Sequence, residues 1–562
     1  MTRTAAGLAA IAAVLLSAVP AAADTYDPAA TSEWHCPHWG MYGRVKERTF
    51  DADCETSISP ATAPTLIPRW FFKTPTTVTA SPAVVDGVVY VGDWTPTFYA
   101  LDANSGEAIW QVDAPRQPNA PFGPIVSSAA VADTFTPNGL VRLVIFGSGN
   151  MLVALDAVDG STVWQLDVAG ALGPDEETEI ESSPVVHDGV VYVGMDTHGK
   201  TLENTIDTRG GLLAVDAATG TSLWKFEPDH LDQAGCASVW SSPAIDADAG
   251  LVFTATGNCP IDDYEWGPHT EAVTALDLAS GEPVWAFQPE PDNTDDTDFG
   301  ATPNVFEVDG RQVVGIGKKN ARYYLLDALT GELIWERQVT EPGNVQENFA
   351  VGGFIGSTAV GDGRVFGGTA ISFNPSNFPA VTGPFHFHAL DAASGEIAWQ
   401  FVQGPVYAAT SYTNGVVFNG ALDAFLHVYD AELGIPLAAL PTSGPVSSGP
   451  AIVGDWVFMG AGTSSSDLCA KDQPYSEACF AVFDGVLGGL GGVHAWSLPG
   501  ADPVPGDGQV DARDDPPSGS RPDGAAGGPG PGPTPTTGGG LALVAMSVLA
   551  LASVRRGERR GR

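Results

Sequence analysis

The strongest constraint on the fold is a short motif that recurs along the chain. Each copy has an aliphatic residue, an Asp, a Gly four residues later and a Trp four residues after that. Six complete copies begin at Asp102, Asp156, Asp216, Asp277, Asp327 and Asp391, and end at Trp110, Trp164, Trp224, Trp285, Trp335 and Trp399. A degenerate seventh copy at Asp430 has Ala438 in place of the Trp. The recurrence of one motif along most of the chain predicts a repeat architecture.

The chemistry of the motif indicates which repeat architecture forms. An Asp followed by a Gly suits a tight turn, because the Asp side chain accepts backbone N–H groups and Gly tolerates a left-handed backbone. The Trp then buries a large aromatic surface against the neighbouring repeat. Because one sheet cannot cover both of its own faces, such sheets stack radially. We predict an all-β, eight-bladed β-propeller of four-stranded antiparallel blades, with the motif Trp residues as scaffold.

The two ends of the repeat region are predicted to share the eighth blade. Residues 451–460 indicate two strands and residues 493–498 a third, but no outer strand follows them. Residues 66–72 have the pattern of an outer strand and precede the first complete repeat. Pairing the N- and C-terminal strands in one composite blade would close the ring and remove exposed strand edges.

The charge balance limits the classes of partner. The chain has 562 residues and a formal net charge of −42. Nucleic acid and anionic membrane surfaces would be repelled, so neither is predicted as a partner. An acidic surface keeps the protein soluble, and it also suits a basic electron carrier.

Both ends of the chain resemble processing signals. Residues 1–23 contain Arg3, an apolar run and a small-residue cleavage site, which predicts a signal peptide and export. We predict an N-terminal extension over 24–63, the propeller over 64–500 and a Pro/Gly-rich disordered stalk over 501–538. Residues 539–562 indicate a sorting tag or a short membrane anchor. The expected location is the periplasm, the cell surface or the extracellular space.

Six cysteines in an exported chain predict disulfides. They are Cys36, Cys54, Cys236, Cys259, Cys469 and Cys479. A predicted hairpin turn over 246–248, centred between 247 and 248, would place Cys236 opposite Cys259. Sequence proximity predicts Cys36–Cys54 and Cys469–Cys479. The absence of a CxxCH motif predicts that the sequence encodes no covalently attached haem.

The repeats and four further segments resemble PQQ-dependent quinoprotein alcohol dehydrogenases, and in particular the polyvinyl-alcohol-dehydrogenase-like branch. The likeness covers about residues 60–500. The four segments are 238–243 (SVWSSP), 256–258 (TGN), 288–300 (QPEPDNTDDTDFG) and 319–320 (KN).

The resemblance implies a role for individual residues in these segments. Trp240 would stack under the planar quinone, with Ser238 beside it, and Lys319 and Asn320 would contact the cofactor. Lys319 would also act in catalysis by polarising the quinone. Asp298 would be the catalytic base and a Ca²⁺ ligand.

Two further Ca²⁺ ligands follow from the resemblance. Asn258 would supply an amide oxygen and Glu203 a carboxylate, with Asp196 and Glu181 as alternatives to Glu203. Oxygen ligands of this kind suit a hard cation.

The chain departs from the family pattern at several positions. The vicinal Cys pair is absent from residues 124–128, Thr79 stands in place of a Glu, and Thr297 stands in place of a Trp. His386 and His388 alternate on one predicted strand without a third ligand, which favours a structural role.

Two functions are compatible with these features. The first is an exported PQQ- and Ca²⁺-dependent dehydrogenase that oxidises a small or polymeric alcohol. Its electrons would pass to an external acceptor such as a soluble cytochrome. The second is a cofactor-free propeller that serves as a surface-displayed binding or assembly scaffold. The four segments favour the enzyme.

Overall fold

The structure is a computed structural model, and its described residues lie in one compact unit. It describes residues 36–52, 54–115, 125–136, 139–168, 178–197, 210–228, 237–257, 267–290, 297–340, 345–346, 349–350, 353–370, 386–462 and 491–506. Within these ranges no helix has the length and apolar character needed to cross a membrane.

Eight antiparallel sheets follow one another along the chain and form the blades. Blade 1 contains β2 (Ala83–Val85), β3 (Val88–Gly92), β4 (Thr97–Asp102) and β5 (Ala108–Asp113), and blade 2 contains β6 (Ala130–Thr136), β7 (Gly139–Ser148), β8 (Met151–Asp156) and β9 (Thr162–Asp167). Blade 3 contains β11 (Val185–His187), β12 (Val190–Thr197), β13 (Gly211–Asp216) and β14 (Ser222–Phe226). Blade 4 contains β15 (Ala244–Asp246), β16 (Leu251–Ala255), β17 (Val273–Asp277) and β18 (Pro283–Phe287). In blade 3 a short strand, β10 (Thr178–Glu179), also pairs with the end of β12.

The second half of the ring repeats the arrangement. Blade 5 contains β19 (Asn304–Val308), β20 (Arg311–Gly317), β21 (Arg322–Asp327) and β22 (Leu333–Gln338), and blade 6 contains β25 (Ala359–Gly361), β26 (Arg364–Gly368), β27 (Phe387–Asp391) and β28 (Ile397–Phe401). Blade 7 contains β29 (Thr410–Thr413), β30 (Val416–Ala421), β31 (Phe425–Asp430) and β32 (Pro436–Pro441). Blade 8 contains β33 (Ala451–Val453), β34 (Trp456–Ala461), β35 (Gly492–Ser497) and β1 (Ile67–Lys73). A separate two-stranded ribbon pairs β23 (Val345–Gln346) with β24 (Phe349–Ala350). The predicted eight-bladed propeller is confirmed.

The repeated Trp residues dock each blade onto the next one. Trp110 Nε1 donates to the carbonyl of Ala157 at 2.9 Å, and its ring would lie 2.8 Å from a Cβ on Gly160. Gly160 has φ +72°, a conformation that favours glycine. Trp70, Trp164, Trp285, Trp335 and Trp399 make the equivalent hydrogen bond to the following blade. These Trp residues are scaffold, as the motif predicts.

The eighth blade is the predicted composite of the two chain ends. β1 forms its outer strand and pairs antiparallel with β35, which pairs with β34. The innermost strand β33 contacts β2 of blade 1, so the ring is closed.

A belt of hydroxyl groups links the innermost segments of neighbouring blades. The N–H of Ser81 donates to Ser128 Oγ at 2.8 Å, and the N–H of Ser128 donates to Ser183 Oγ at 3.0 Å. In the same way, the hydroxyls of Ser242, Thr302 and Ser357 each accept the N–H of the preceding belt residue. The N–H of Gly449 in blade 8 donates to Ser81 Oγ. We call these six hydroxyl residues the hydroxyl belt. It satisfies backbone donors that would otherwise be buried without partners.

Residues 36–52 form a strap that pairs with the innermost strands inside the ring. The carbonyls of Gly40, Lys46, Glu47, Thr49 and Phe50 accept N–H groups from blades 2, 4, 5, 6 and 7, and Trp39 pairs with blade 1. A disulfide between Cys36 and Cys54 closes this loop, as predicted. In blades 1, 2, 4, 5 and 6 the strap contact lies three residues after the belt residue.

The hairpin that opens blade 4 differs from the predicted one. Ala244 pairs with Phe253 and Asp246 with Leu251, so the hairpin centres between residues 248 and 249, one residue later than predicted. The cause is Gly250, whose φ of +67° places the turn after Asp246. The predicted register returns at the far end, where Gly257 N–H donates to the Ser238 carbonyl at 2.8 Å. Cys236, Cys259, Cys469 and Cys479 lie outside the described residues, so their pairings stay predictions.

Candidate active site

Three predicted site residues meet between blades 4 and 5. Lys319 Nζ lies 2.8 Å from Asp298 Oδ2, and Trp240 Nε1 donates to the same oxygen at 3.2 Å. The Lys319 ammonium also lies 5.1 Å from the centre of the Trp240 ring, in the range of a cation–π contact. Asp298 is 6% exposed, so these contacts hold a carboxylate that is almost removed from water.

The ends of the innermost segments place Trp240 and Asp298. Trp240 stands two residues before the belt residue Ser242, and Asp298 stands four residues before Thr302. The strap contacts the same segments on the other side of the belt, at Ile245 and Val305. The site and the strap therefore occupy opposite sides of the hydroxyl belt.

A tight turn between β20 and β21 presents Lys319. Ala321 N–H donates to the Lys318 carbonyl at 3.0 Å, and Lys319 N–H donates to the Asp298 carbonyl at 2.9 Å. The turn is therefore fixed to the segment that carries the carboxylate. Consecutive residues of this turn project in different directions, so Lys318 and Lys319 serve different partners.

Two glycines leave room around these side chains. A Cβ on Gly257 would lie 3.1 Å from Ser238 Oγ, 3.3 Å from Asp298 Oδ1 and 3.3 Å from Trp240 Nε1. A Cβ on Gly300 would lie 2.7 Å from the edge of the Trp240 ring. Ser238, a predicted cofactor-binding residue, is thus brought to the same site. Because neither glycine has a Cβ, open space remains next to Trp240 and Asp298.

A second cluster of charged groups lies behind the first, and sequence reasoning missed it. Lys318 is fully buried and binds Glu271 Oε2 at 2.9 Å as well as Glu290. Asn320, predicted to contact the cofactor, donates to Tyr324 Oη at 2.9 Å and to Glu290 Oε2 at 3.2 Å. The Asn320 amide therefore belongs to this second cluster. The Lys318-Lys319 doublet was the available sequence signal, but it does not show which lysine faces which carboxylate.

The predicted metal ligands are only partly covered by the structure. Asn258 and Glu203 lie outside the described residues. Asp196 is buried in β12 with Glu179 as its cross-strand neighbour, and Glu181 is partly buried. Among the residues described, no group of three or more His, Cys, Asp or Glu side chains could hold a metal ion.

Two other predicted features are structural. His388 contacts Thr369 Oγ1 at 3.1 Å and Gln400 Nε2 at 2.8 Å, so both of its ring nitrogens have protein partners. Burial lowers the pKa of His388 to about 3. Thr79 accepts a hydrogen bond from Trp94 Nε1 at 2.8 Å.

The residues present fit a flat, electron-poor cofactor. An indole face, a fixed ammonium group and a buried carboxylate converge where two glycines leave space. The ammonium can stabilise negative charge on carbonyl oxygens, and the indole can stack on a planar ring. The Asp298 carboxylate is also a suitable ligand for a hard cation.

Comparison with known proteins agrees with the fold and with the family that the sequence resembles. The PQQ family model, described as the β-propeller domain of glucose, ethanol and alcohol dehydrogenases, matches residues 57–350, more than half of the chain. Polyvinylalcohol dehydrogenase of a Sphingopyxis species is 26% identical over 495 residues, which cover 74% of this chain and 71% of that protein. The dehydrogenase subunit of the quinone-type alcohol dehydrogenase of Acetobacter aceti is 28% identical over 385 residues, covering 59% of this chain and 50% of that subunit.

A solved structure shows the same fold. The quinohemoprotein alcohol dehydrogenase of Pseudomonas putida superposes with a TM-score of 0.67 at 20% identity, covering 87% of this chain and 82% of that one. The predicted cofactors, PQQ and Ca²⁺, are those that PQQ-dependent alcohol dehydrogenases use. The chain therefore belongs to the PQQ family of β-propeller dehydrogenases and is an oxidoreductase of the PQQ-dependent alcohol dehydrogenase type.

Proposed function

We propose that this chain is an exported PQQ- and Ca²⁺-dependent dehydrogenase that oxidises an alcohol and passes the electrons to an external acceptor. The observation that carries the proposal is the contact of Asp298 with both Lys319 and Trp240. A buried carboxylate held by a cation and an indole provides a base, an electrostatic group and a stacking surface in one place.

The chain's residues would divide the work of binding. Trp240 would stack on the cofactor ring, while Lys319 and Ser238 would bind polar groups at its edge. Asp298, Asn258 and Glu203 would hold Ca²⁺, since carboxylate and amide oxygens are the ligands that this ion prefers. When bound, PQQ supplies the two-electron acceptor for the hydride of the alcohol.

Asp298 would act as the general base. Its Oδ2 is held by Lys319 and Trp240, which fixes the position of that oxygen. Its Oδ1 lies on the side of Gly257, where the absent side chain leaves space for a hydroxyl group. A carboxylate at hydrogen-bond distance from the alcohol can accept the hydroxyl proton. The Lys319 ammonium would stabilise the negative charge that develops at the site.

The substrate and the acceptor follow from the relatives and from charge. One relative is named a polyvinylalcohol dehydrogenase, so a small or polymeric secondary alcohol is the proposed substrate class. The net charge of −42 favours encounter with a basic electron carrier such as a soluble cytochrome. The signal-like residues 1–23 support export.

Reconstitution tests the proposal. The purified full chain is incubated with PQQ and Ca²⁺, and reduction of an artificial dye is followed with and without a secondary alcohol. We expect alcohol-dependent reduction that requires both additions and falls at least about a thousandfold in Asp298→Asn. Wild-type protein that binds PQQ at micromolar concentration but reduces no dye with any alcohol, or that binds no PQQ, would overturn the proposal.

A further inference from the structure

We propose that Glu271 is a positioning residue for Asp298, acting through Thr297 and held in place by Lys318. The proposal deepens the function above and rests on it, because it assigns the fully buried carboxylate behind the site to the orientation of the proposed base.

The contact runs through the residue that precedes Asp298. Thr297 N–H donates to Glu271 Oε1 at 3.2 Å, and the Thr297 hydroxyl donates to Oε2 at 3.2 Å. On the other side, the Asp298 carbonyl accepts Lys319 N–H at 2.9 Å. The backbone on both sides of the Asp298 side chain is therefore fixed, and Glu271 supplies the acceptors on the first side.

Two features of Glu271 are energetically unfavourable, namely its burial and its backbone conformation. Its side chain is fully buried, and its φ of +44° is a left-handed conformation that non-glycine residues seldom adopt. Its own N–H donates to the carbonyl of Gly257, the glycine beside Asp298. A buried carboxylate on a strained backbone persists only where its surroundings hold it firmly, and such strain is concentrated at functional sites.

Lys318 provides the compensating charge. Its ammonium lies 2.9 Å from Glu271 Oε2 and 5.4 Å from the centre of the Phe299 ring, and it is fully buried. Burial raises the pKa of Glu271 to about 7, a tendency that Lys318 opposes. Removing Lys318 alone would leave an uncompensated buried carboxylate, which is strongly destabilising. Lys318 thus keeps an acceptor in place for Thr297.

The contact uses a residue at which this chain departs from the family pattern. Thr297 stands where the resembling dehydrogenases carry Trp, and here its hydroxyl supplies one of the two bonds to Glu271. The positioning device is therefore assigned to this chain.

The test replaces the buried pair by apolar residues of similar volume, because such replacements usually preserve folding. In the cofactor-free full chain, hydrogen exchange of the Thr297 and Lys319 amides is compared between wild type, Glu271→Leu/Lys318→Met and Glu271→Gln. We expect exchange about tenfold faster in the double variant, the equivalent of one lost hydrogen bond. Glu271→Gln keeps an acceptor oxygen and should stay within about threefold of wild type. Glu336→Gln, which removes an exposed partner of Arg322 in the same blade, is the control.

Kinetics of the reconstituted protein give the second readout. The double variant should lose about ten- to a hundredfold in kcat, with KM within about twofold of the wild-type value. Glu271→Gln should retain most of the wild-type kcat. If the double variant does not fold, Thr297→Val tests the hydroxyl contact alone, with an expected loss of about threefold.

Two results would overturn the positioning role. One is unchanged exchange at Thr297 and Lys319 in a folded double variant. The other is faster exchange spread evenly over blade 5, which indicates a merely structural contact. If the wild type itself is inactive with PQQ, the proposed function fails, but the exchange data still decide whether Glu271 holds the Thr297–Asp298 segment.

Discussion

Lys319 Nζ lies 2.8 Å from Asp298 Oδ2, and this ion pair joins the turn between β20 and β21 to the segment that precedes β19. Both side chains are largely buried, so the pair is only weakly screened by solvent. The geometry makes Lys319 the group best placed to stabilise negative charge next to the proposed base.

Replacing Lys319 should therefore reduce turnover. In Lys319→Met we expect kcat to fall about a hundredfold or more, because a preorganised cation is lost from a water-poor site. Lys319→Arg should keep part of the activity, since it retains the charge with a different shape. Dye-coupled rates of the reconstituted proteins measure both effects. Lys225→Met, which removes a partly exposed lysine paired with Glu227, is the control. Equal activity of Lys319→Met and wild type would exclude the assigned role.

The two kinds of Trp should respond differently to substitution. Trp240→Leu removes the proposed stacking surface and should raise the Kd for PQQ about tenfold, with little loss of stability. Trp285→Phe removes the hydrogen bond to Ala328 and should lower the free energy of unfolding by about 1–2 kcal/mol with an unchanged Kd. Quenching of protein fluorescence by PQQ and urea titration measure the two quantities. A loss of PQQ affinity in Trp285→Phe but not in Trp240→Leu would reverse the assignment.

The space beside Gly257 should be needed for substrate. Gly257→Ala introduces a Cβ at 3.1–3.3 Å from Ser238 Oγ, Asp298 Oδ1 and Trp240 Nε1. We expect at least about a tenfold loss in kcat/KM, because small shifts of the reacting groups are costly. Gly189→Ala is the matched control: its φ is +73° and a Cβ there meets no atom within 4 Å. It should lose about 1 kcal/mol of stability and no activity.

The strap should contribute to the stability of the ring through Arg48. The fully buried Arg48 guanidinium donates to the carbonyls of Ser183, Pro184 and Pro243 at 2.9–3.0 Å, and also to Tyr42. Burial lowers the pKa of Arg48 to about 9, so it remains charged at neutral pH. Arg48→Met should lower the free energy of unfolding by about 2–4 kcal/mol, since several buried acceptors lose their donor. Arg322→Met, at an exposed ion pair, should change it by less than about 1 kcal/mol. Urea titration of both variants provides the comparison.

Buried histidines should make the fold sensitive to acid. Burial lowers the pKa of His388 to about 3 and that of His494 to about 4, below the ordinary value of 6.5. The unfolded chain therefore binds protons that the folded chain does not, and stability falls as the pH drops below 6.5 towards these values. Each histidine contributes up to about 1.4 kcal/mol per pH unit in this window. His388→Gln should flatten the decline in urea titrations between pH 7 and pH 5. A decline as steep as that of wild type would show that His388 does not cause it.

The fold was predictable where its signals are local or repeated. The Asp-Gly turn with its following Trp defines each blade, and a missing outer strand after residue 498 predicted that residues 66–72 would complete blade 8. The hairpin of blade 4 was misplaced by one residue because the turn was predicted over residues 246–248 and did not include Gly250, which has the positive φ.

Contacts between one blade and the next were less predictable. The recurring Ser-Pro pairs at Ser81, Ser183 and Ser242 were a visible signal of the hydroxyl belt. Only the ring geometry shows that each hydroxyl accepts a backbone N–H of the preceding blade. Resemblance brought Trp240, Asp298 and Lys319 together, whereas Glu271 lies in no recognised motif. Its role depends on a partner, Lys318, that is 47 residues away in sequence.

The most direct test of the central claim is a single anaerobic titration. Wild-type protein and Asp298→Asn are each loaded with PQQ and Ca²⁺ and mixed with an excess of secondary alcohol while the cofactor absorbance is recorded. We predict that wild type reduces one equivalent of bound PQQ, whereas Asp298→Asn retains PQQ and leaves it oxidised. Reduction of PQQ at the same rate in both proteins would contradict the assignment of Asp298 as the base of this site.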